Sequence, residues 1–98
     1  VTPSTNQSPS NYWTQHPGEK RTYQQQYTSD TIVGPAIWTL EPVLDTTPVP
    51  TLSNQGDTAT SSQIMVSGIE AGQTYLGKVI ANGTSGQIFE NDFKIVGN

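Results

Sequence analysis

Residues 71–96 read AGQTYLGKVIANGTSGQIFENDFKIV, and their patterning decides the fold class. From Thr74 to Ala81, the residues Tyr75, Gly77, Val79 and Ala81 fall on one side of an extended chain, because successive side chains of a strand point to opposite faces. In the following stretch Phe89, Phe93 and Ile95 share one face, while Glu90, Asp92 and Lys94 share the other. Between the two lies NGTSG, residues 82–86, whose Asn and Gly accept the positive φ that hairpin loops demand. Two runs of period two around such a separator predict an antiparallel hairpin.

Working back from this hairpin, the same signals recur. QIMVS, residues 63–67, is a short strand closed by the turn SGIEAGQ. Pro42, Pro48 and Pro50 lie between Glu41 and Ser62 and each lacks a ladder donor, so only an edge strand is expected there, near Val49 to Leu52, followed by a loop through NQGDT. AIWTL, residues 36–40, sets Trp38 on the same face as Leu40 and is the short strand expected to bring a Trp into the core. KRTYQQQYT alternates Tyr23, Gln25 and Tyr27 against Thr22, Gln24 and Gln26. Tyr12 and Trp13 open a first strand that His16, Pro17 and Gly18 end in a tight turn.

Six or seven strands spaced about ten residues apart, with no helical period, predict an all-β antiparallel sandwich of about seven strands. At 98 residues the chain has room for one core. Residues 12–98 are assigned to it. Residues 1–11, VTPSTNQSPSN, hold two prolines and no large apolar group beyond Val1, and are read as an extended N-terminal arm. Only 32% of residues are apolar, which limits the core the domain builds alone and points to support from neighbouring chains.

The chemistry classes narrow in the same way. No cysteine is present, so neither a disulfide framework nor a thiolate metal site is available. A net charge of −4, with Lys20-Arg21 the one adjacent basic pair, offers no stripe for phosphates, so nucleic acid is not an expected partner. No apolar run reaches the ~18–20 residues of a membrane helix, and no membrane partner is expected. His16 is the single histidine and precedes a turn, which leaves no Ser-His-Asp triad or multi-histidine metal site; no catalytic residue, metal or cofactor is assigned. Glu90 and Asp92 share a strand face, as a glycosidase pair would, but nothing marks a cleft around them. Tyr12, Trp13 and Tyr27 are candidates for an interface or a sugar-stacking platform, with the core as the competing place for one or two of them. Trp38, Tyr75, Phe89, Phe93 and Ile95 are the expected core markers.

Two resemblances follow from these residues. AGQTY, with Gly72 ahead of Tyr75 at the start of the penultimate strand, resembles the tyrosine corner of immunoglobulin and fibronectin type III domains, in which the phenol bonds back to upstream backbone. HPGEKRTY with Pro17, Glu19 and Tyr23, AIWTL with Trp38, SGIEAGQTY with Gly68, Gly72 and Tyr75, and TSGQIFENDFKI together resemble small structural proteins of tailed phages, of the head-decoration or fibre-tail adaptor kind, over residues 16–96. His16 stands where such proteins usually carry an acid, and Ile69 follows Gly68 where they carry a Gly pair. The resemblance implies an immunoglobulin-like sandwich and a virion subunit assembled in the host cytoplasm. Its expected partners are the major capsid protein or other virion proteins, and it would act in multiple copies or as a homo-oligomer. The leading expectation is a capsid decoration or cement protein. The alternatives are a fibre-tail adaptor and, from a different class, a carbohydrate-binding module.

Overall fold

The computed structural model describes residues 12–98; the arm assigned to residues 1–11 lies outside the described residues. Seven strands form: β1 (Tyr12–Gln15), β2 (Arg21–Gln26), β3 (Ile32–Pro42), β4 (Thr51–Asp57), β5 (Ser61–Ser67), β6 (Thr74–Gly83) and β7 (Ile88–Gly97). They build two sheets, one ordered β1-β7-β6-β3 and the other β2-β5-β4, packed as a β-sandwich. All neighbours are antiparallel except β1, which runs parallel to β7 with Tyr12 opposite Lys94 and Gln15 opposite Gly97.

The β6–β7 hairpin forms as its alternation dictates, with Ala81 opposite Phe89 and Tyr75 opposite Ile95. Its loop closes through bonds from Gly86 N–H to Gly83 O (3.1 Å) and from Gly83 N–H to Gln87 O (2.7 Å), with Gly86 at φ +92° in the left-handed position such a loop needs. Pro17-Gly18 makes the turn between β1 and β2, Glu19 N–H donating to His16 O at 3.1 Å.

β4 corrects the expected loop through NQGDT. The edge strand starts at Thr51 and continues through Asn54, Gln55 and Gly56 to Asp57, absorbing the irregularity as a register shift between Ser53 and Gly56 with Asn54 at φ +53°. Asn tolerates that conformation, so turn-type residues serve here as a bulge inside a strand. β3 is likewise longer than AIWTL. Gly34-Pro35 is a second shift, between Val33 and Ile37, beyond which pairing with β6 resumes.

The inner faces meet in two adjoining clusters. One joins Tyr23, Leu40, Ile64, Val66, Ile69, Tyr75 and Ile95; the other joins Tyr27, Ile32, Ala36, Val79 and Ala81; Trp38 packs against both. Tyr75 and Ile95 are fully enclosed. Phe93 and Phe89 are half-buried and flank the core, Phe93 edge-on to Trp38 (centroids 5.8 Å apart) and Phe89 against Tyr27 (5.5 Å). Gly77, opposite Phe93 in the ladder, is required because a Cβ there would collide with the Phe93 ring. Trp38 is half-buried because β3 ends its sheet, leaving one side of the ring uncovered.

Candidate interaction face

The tyrosine corner takes the form the AGQTY stretch suggests. Tyr75 Oη accepts from Glu70 N–H at 2.9 Å, and Gly72, at φ +78°, turns the chain between them. This corner and the seam at Gln15 hold the sandwich closed. Gln15 Nε2 donates to Val66 O and Glu19 O, both at 3.0 Å, and its Oε1 accepts from Tyr23 Oη at 2.8 Å.

A second polar node sits where the edge strands β3 and β4 approach each other. Trp38 Nε1 donates to Ser62 Oγ (2.8 Å), which donates to Asp57 Oδ1 (2.5 Å). Asp57 Oδ1 also accepts from Ala36 N–H (3.2 Å), and Gln55 Nε2 donates to Ala36 O (2.6 Å). Side chains of one sheet thus satisfy the exposed backbone of the other, blunting the β3 edge at Ala36. At the far end Asp30 accepts from Thr84 Oγ1 (2.8 Å), Thr31 N–H (2.8 Å), Ser85 N–H (3.2 Å) and Ser85 Oγ (2.5 Å). The Ser85 and Thr84 hydroxyls hold its carboxyl down to about 2. Burial pushes the Tyr23 and Tyr27 phenols up to about 12, with the Asp57 charge adding to the effect at Tyr27.

Asp30, Asp57 and Gln15 are occupied by the chain's own donors and acceptors, and among the described residues no group of three or more His, Cys, Asp or Glu gathers. His16 is exposed at its turn, its backbone N–H donating to Glu19 Oε1 at 2.7 Å. Glu90 and Asp92 stand on an open sheet face, Glu90 paired with Lys78 at 3.5 Å. No helix among the described residues is long and apolar enough to cross a membrane.

The three aromatics considered for an interface are separated. Tyr27 lies in the core at 6% exposure, and Trp13 is half-buried with its ring 6.1 Å from that of Tyr23. Only Tyr12 is exposed, with Lys94 Nζ 5.9 Å above its ring. A three-ring sugar platform does not assemble, because alternation turns Tyr27 inward and the short β1 lays Trp13 over the sandwich mouth.

The unpartnered surface is instead the outer face of the four-stranded sheet. The registers place outward residues of β7, β6 and β3 in rows: Lys94, Leu76 and Glu41; then Asp92, Lys78 and Thr39; then Glu90, Ile80 and Ile37; and last Ile88, Asn82 and Val33. Tyr12 extends the first row on β1. Val33, Ile37 and Ile88 are more than half exposed; Ile37 stands beside half-buried Ile80 at the β3 edge, and Ile88 on β7 lies diagonal to Ile80 and across Asn82 from Val33. At the other end Leu76 and Val43, also exposed, border a shallow depression with Glu41, Pro42, Lys78 and Asp92. The opposite outer face, on β2, β5 and β4, carries Thr22, Gln24, Gln63, Met65 and Ser53, with neither a Val, Ile or Leu nor a charge among these positions. The sequence shows these aliphatics as the off-phase positions of otherwise alternating strands, a signal the inward pattern overshadows.

Fold and face together describe a β-sandwich with exposed aliphatic side chains on the outer face of its four-stranded sheet. The chain matches no protein-family model, and no curated protein is significantly similar to it.

Proposed function

We propose that this chain is a structural, protein-binding subunit of a virion, a capsid decoration or cement protein of the kind its sequence resembles, with the outer face of the four-stranded sheet as its grip. The observation that carries the binding reading is the set of aliphatic side chains Val33, Ile37, Ile80 and Ile88 on this face. Exposed apolar surface rimmed by charge is a mark of protein interfaces. The virion reading is supported by the HPGEKRTY, AIWTL, SGIEAGQTY and TSGQIFENDFKI motifs. The immunoglobulin-like reading draws support from the strand order, with β2, β5 and β4 against β7, β6 and β3, and from the Tyr75 corner.

Quantitative mass spectrometry of purified particles tests this function. A copy number comparable to that of the coat protein is the expected result. A ratio matching tail components would replace the capsid-wide role by the adaptor role, and absence from particles would reject a virion role altogether. Surface display of Ile37→Lys in place of the native residue is expected to abolish incorporation into particles while leaving the domain folded.

A further inference from the structure

β7 is longer than the strand that covers it. β1 pairs with β7 over residues 94–97, whereas β6 pairs with it from Ile88 onward, so among the described residues no strand lies on the outer side of 88–93. The bonding pattern fixes which groups this stretch presents. Gly83 N–H donates to Gln87 O and Gly97 N–H to Gln73 O, which turns the backbone of the odd-numbered β7 residues toward β6 and that of Ile88 and Glu90 outward. Such an edge is a template for a further strand. On its inner side Phe89 and Phe93 are half-buried, and between them Asn91 Oδ1 is buried with no donor among the described residues. A buried acceptor left without a donor is costly, so the seam is incomplete at this point.

The chain itself leads to the gap. Tyr12 stands opposite Lys94 and β1 runs parallel to β7, so the residues before Tyr12 need no turn to follow the edge back toward Ile88. Continuing the register sets Asn11 beside Phe93, Pro9 beside Asn91 and Gln7 beside Phe89. Residues 6–11 are enough to cover the stretch. Their sequence keeps the alternation of β1, in which Gln15 and Trp13 face the interior and Thr14 and Tyr12 face out. The same period puts Asn11, Pro9 and Gln7 inward and Ser10, Ser8 and Asn6 outward, so amides and rings take turns along the inner side from Gln7 to Gln15. Gln15 shows what such an amide does, donating across the seam to Val66 O and accepting from Tyr23 Oη. Asn11 and Gln7 would flank Asn91 diagonally, each with the amide donors that Oδ1 lacks. No residue of 1–11 has a charged side chain, so nothing there repels the Glu90 carboxylate on the outer face.

We infer that residues 6–11 prolong β1 along the edge of β7, parallel to it, with Gln7 O accepting from Glu90 N–H and a neighbouring arm amide reaching Asn91 Oδ1. Asn98 N–H donates to Gln15 O, so the odd-numbered residues of β1 and of its continuation turn their backbone to β7. Pro9 therefore forfeits one ladder bond, to Glu90 O, which water reaches at an edge, while its carbonyl still accepts. A neighbouring copy's arm and a strand of another protein are the competing occupants.

Amide hydrogen exchange of the full chain, read residue by residue by NMR, tests this seating. Glu90 N–H is expected to exchange at least about tenfold more slowly than in the double variant Gln7→Pro/Asn11→Pro, which leaves residues 6–11 no N–H to give β7 and residues 12–98 unaltered. Ile95 N–H, turned to β6, is expected to keep its rate in the variant, which establishes that the sandwich is folded. The protection of Glu90 is expected to be the same at every protein concentration. Protection that appears only as concentration rises assigns the edge to a neighbouring copy's arm and overturns the seating within one chain. Glu90 exchanging as an exposed amide in the purified chain overturns it and leaves the edge to another protein's strand. Protection that the double variant retains overturns it as well.

Discussion

Tyr75 contributes at once through its ring, which is fully enclosed, and its hydroxyl, which satisfies the Glu70 N–H where the chain turns between the sheets. Tyr75→Phe keeps the ring and removes the acceptor, so the expected loss is about 1–2 kcal/mol, read as a lower urea midpoint at unchanged slope. Asp30 acts through charge. Its carboxylate gathers hydroxyl and amide donors from the β6–β7 loop and titrates at about 2, below the ~3.9 of an unfolded Asp. A lowered folded value means that the stabilisation is fully present above pH ~4 and is lost as pH falls toward 2, because the unfolded state binds the proton first. NMR titration of the Asp30 carboxyl carbon is expected to give a midpoint near 2, and Asp30→Asn to remove that part of the acid dependence. The Tyr75 corner is legible in AGQTY because Gly and Tyr are both required by the geometry. The Asp30 partners are not, since a carboxylate among Ser and Thr residues is unremarkable until the fold brings residues 30 and 85 together.

At the scale of elements, period-two alternation places β2, β5, β6 and β7, whose inner faces carry Tyr23, Tyr75, Val79 and Ile95. It fails at β4, where NQGD has turn chemistry and yet continues the strand, because one left-handed residue at Asn54 lets the ladder resume at Gly56. That continuation carries Asp57 to the open side of the sandwich, where it accepts from Ser62 and Ala36. Asp57→Ala leaves the fully buried Ser62 hydroxyl and the Ala36 N–H without this acceptor, an expected cost of about 2–3 kcal/mol for bonds to a charged group. Chemical denaturation measures the loss, and faster amide exchange at Ala36 is expected to accompany it.

At the scale of the whole molecule, β1 decides how the sandwich closes. Four residues long, it lies on β7 and sends Gln15 into the interior, where one amide ties the four-stranded sheet to Val66 of the other sheet and to Tyr23. Gln15→Ala removes all three side-chain bonds and leaves the Tyr23 hydroxyl without its acceptor, so the expected loss is about 2–4 kcal/mol and the melting temperature falls by roughly 10 °C or more. Scanning calorimetry checks this. Gln15→Leu is expected not to restore stability, because filling the volume does not supply the missing acceptor.

What the sequence determined by itself is what depends on neighbours along the chain: the strand period, the Gly-bearing turns, the terminal hairpin and the inward side of each run. Tertiary structure alone decided which strands meet. The parallel seating of β1 on β7 and the Asp30 and Asp57 nodes join residues far apart in sequence, and no local propensity encodes such pairings. The outer face belongs to both. Val33, Ile37, Ile80 and Ile88 are visible in the sequence as off-phase aliphatics, but only the ladder registers bring them onto one face.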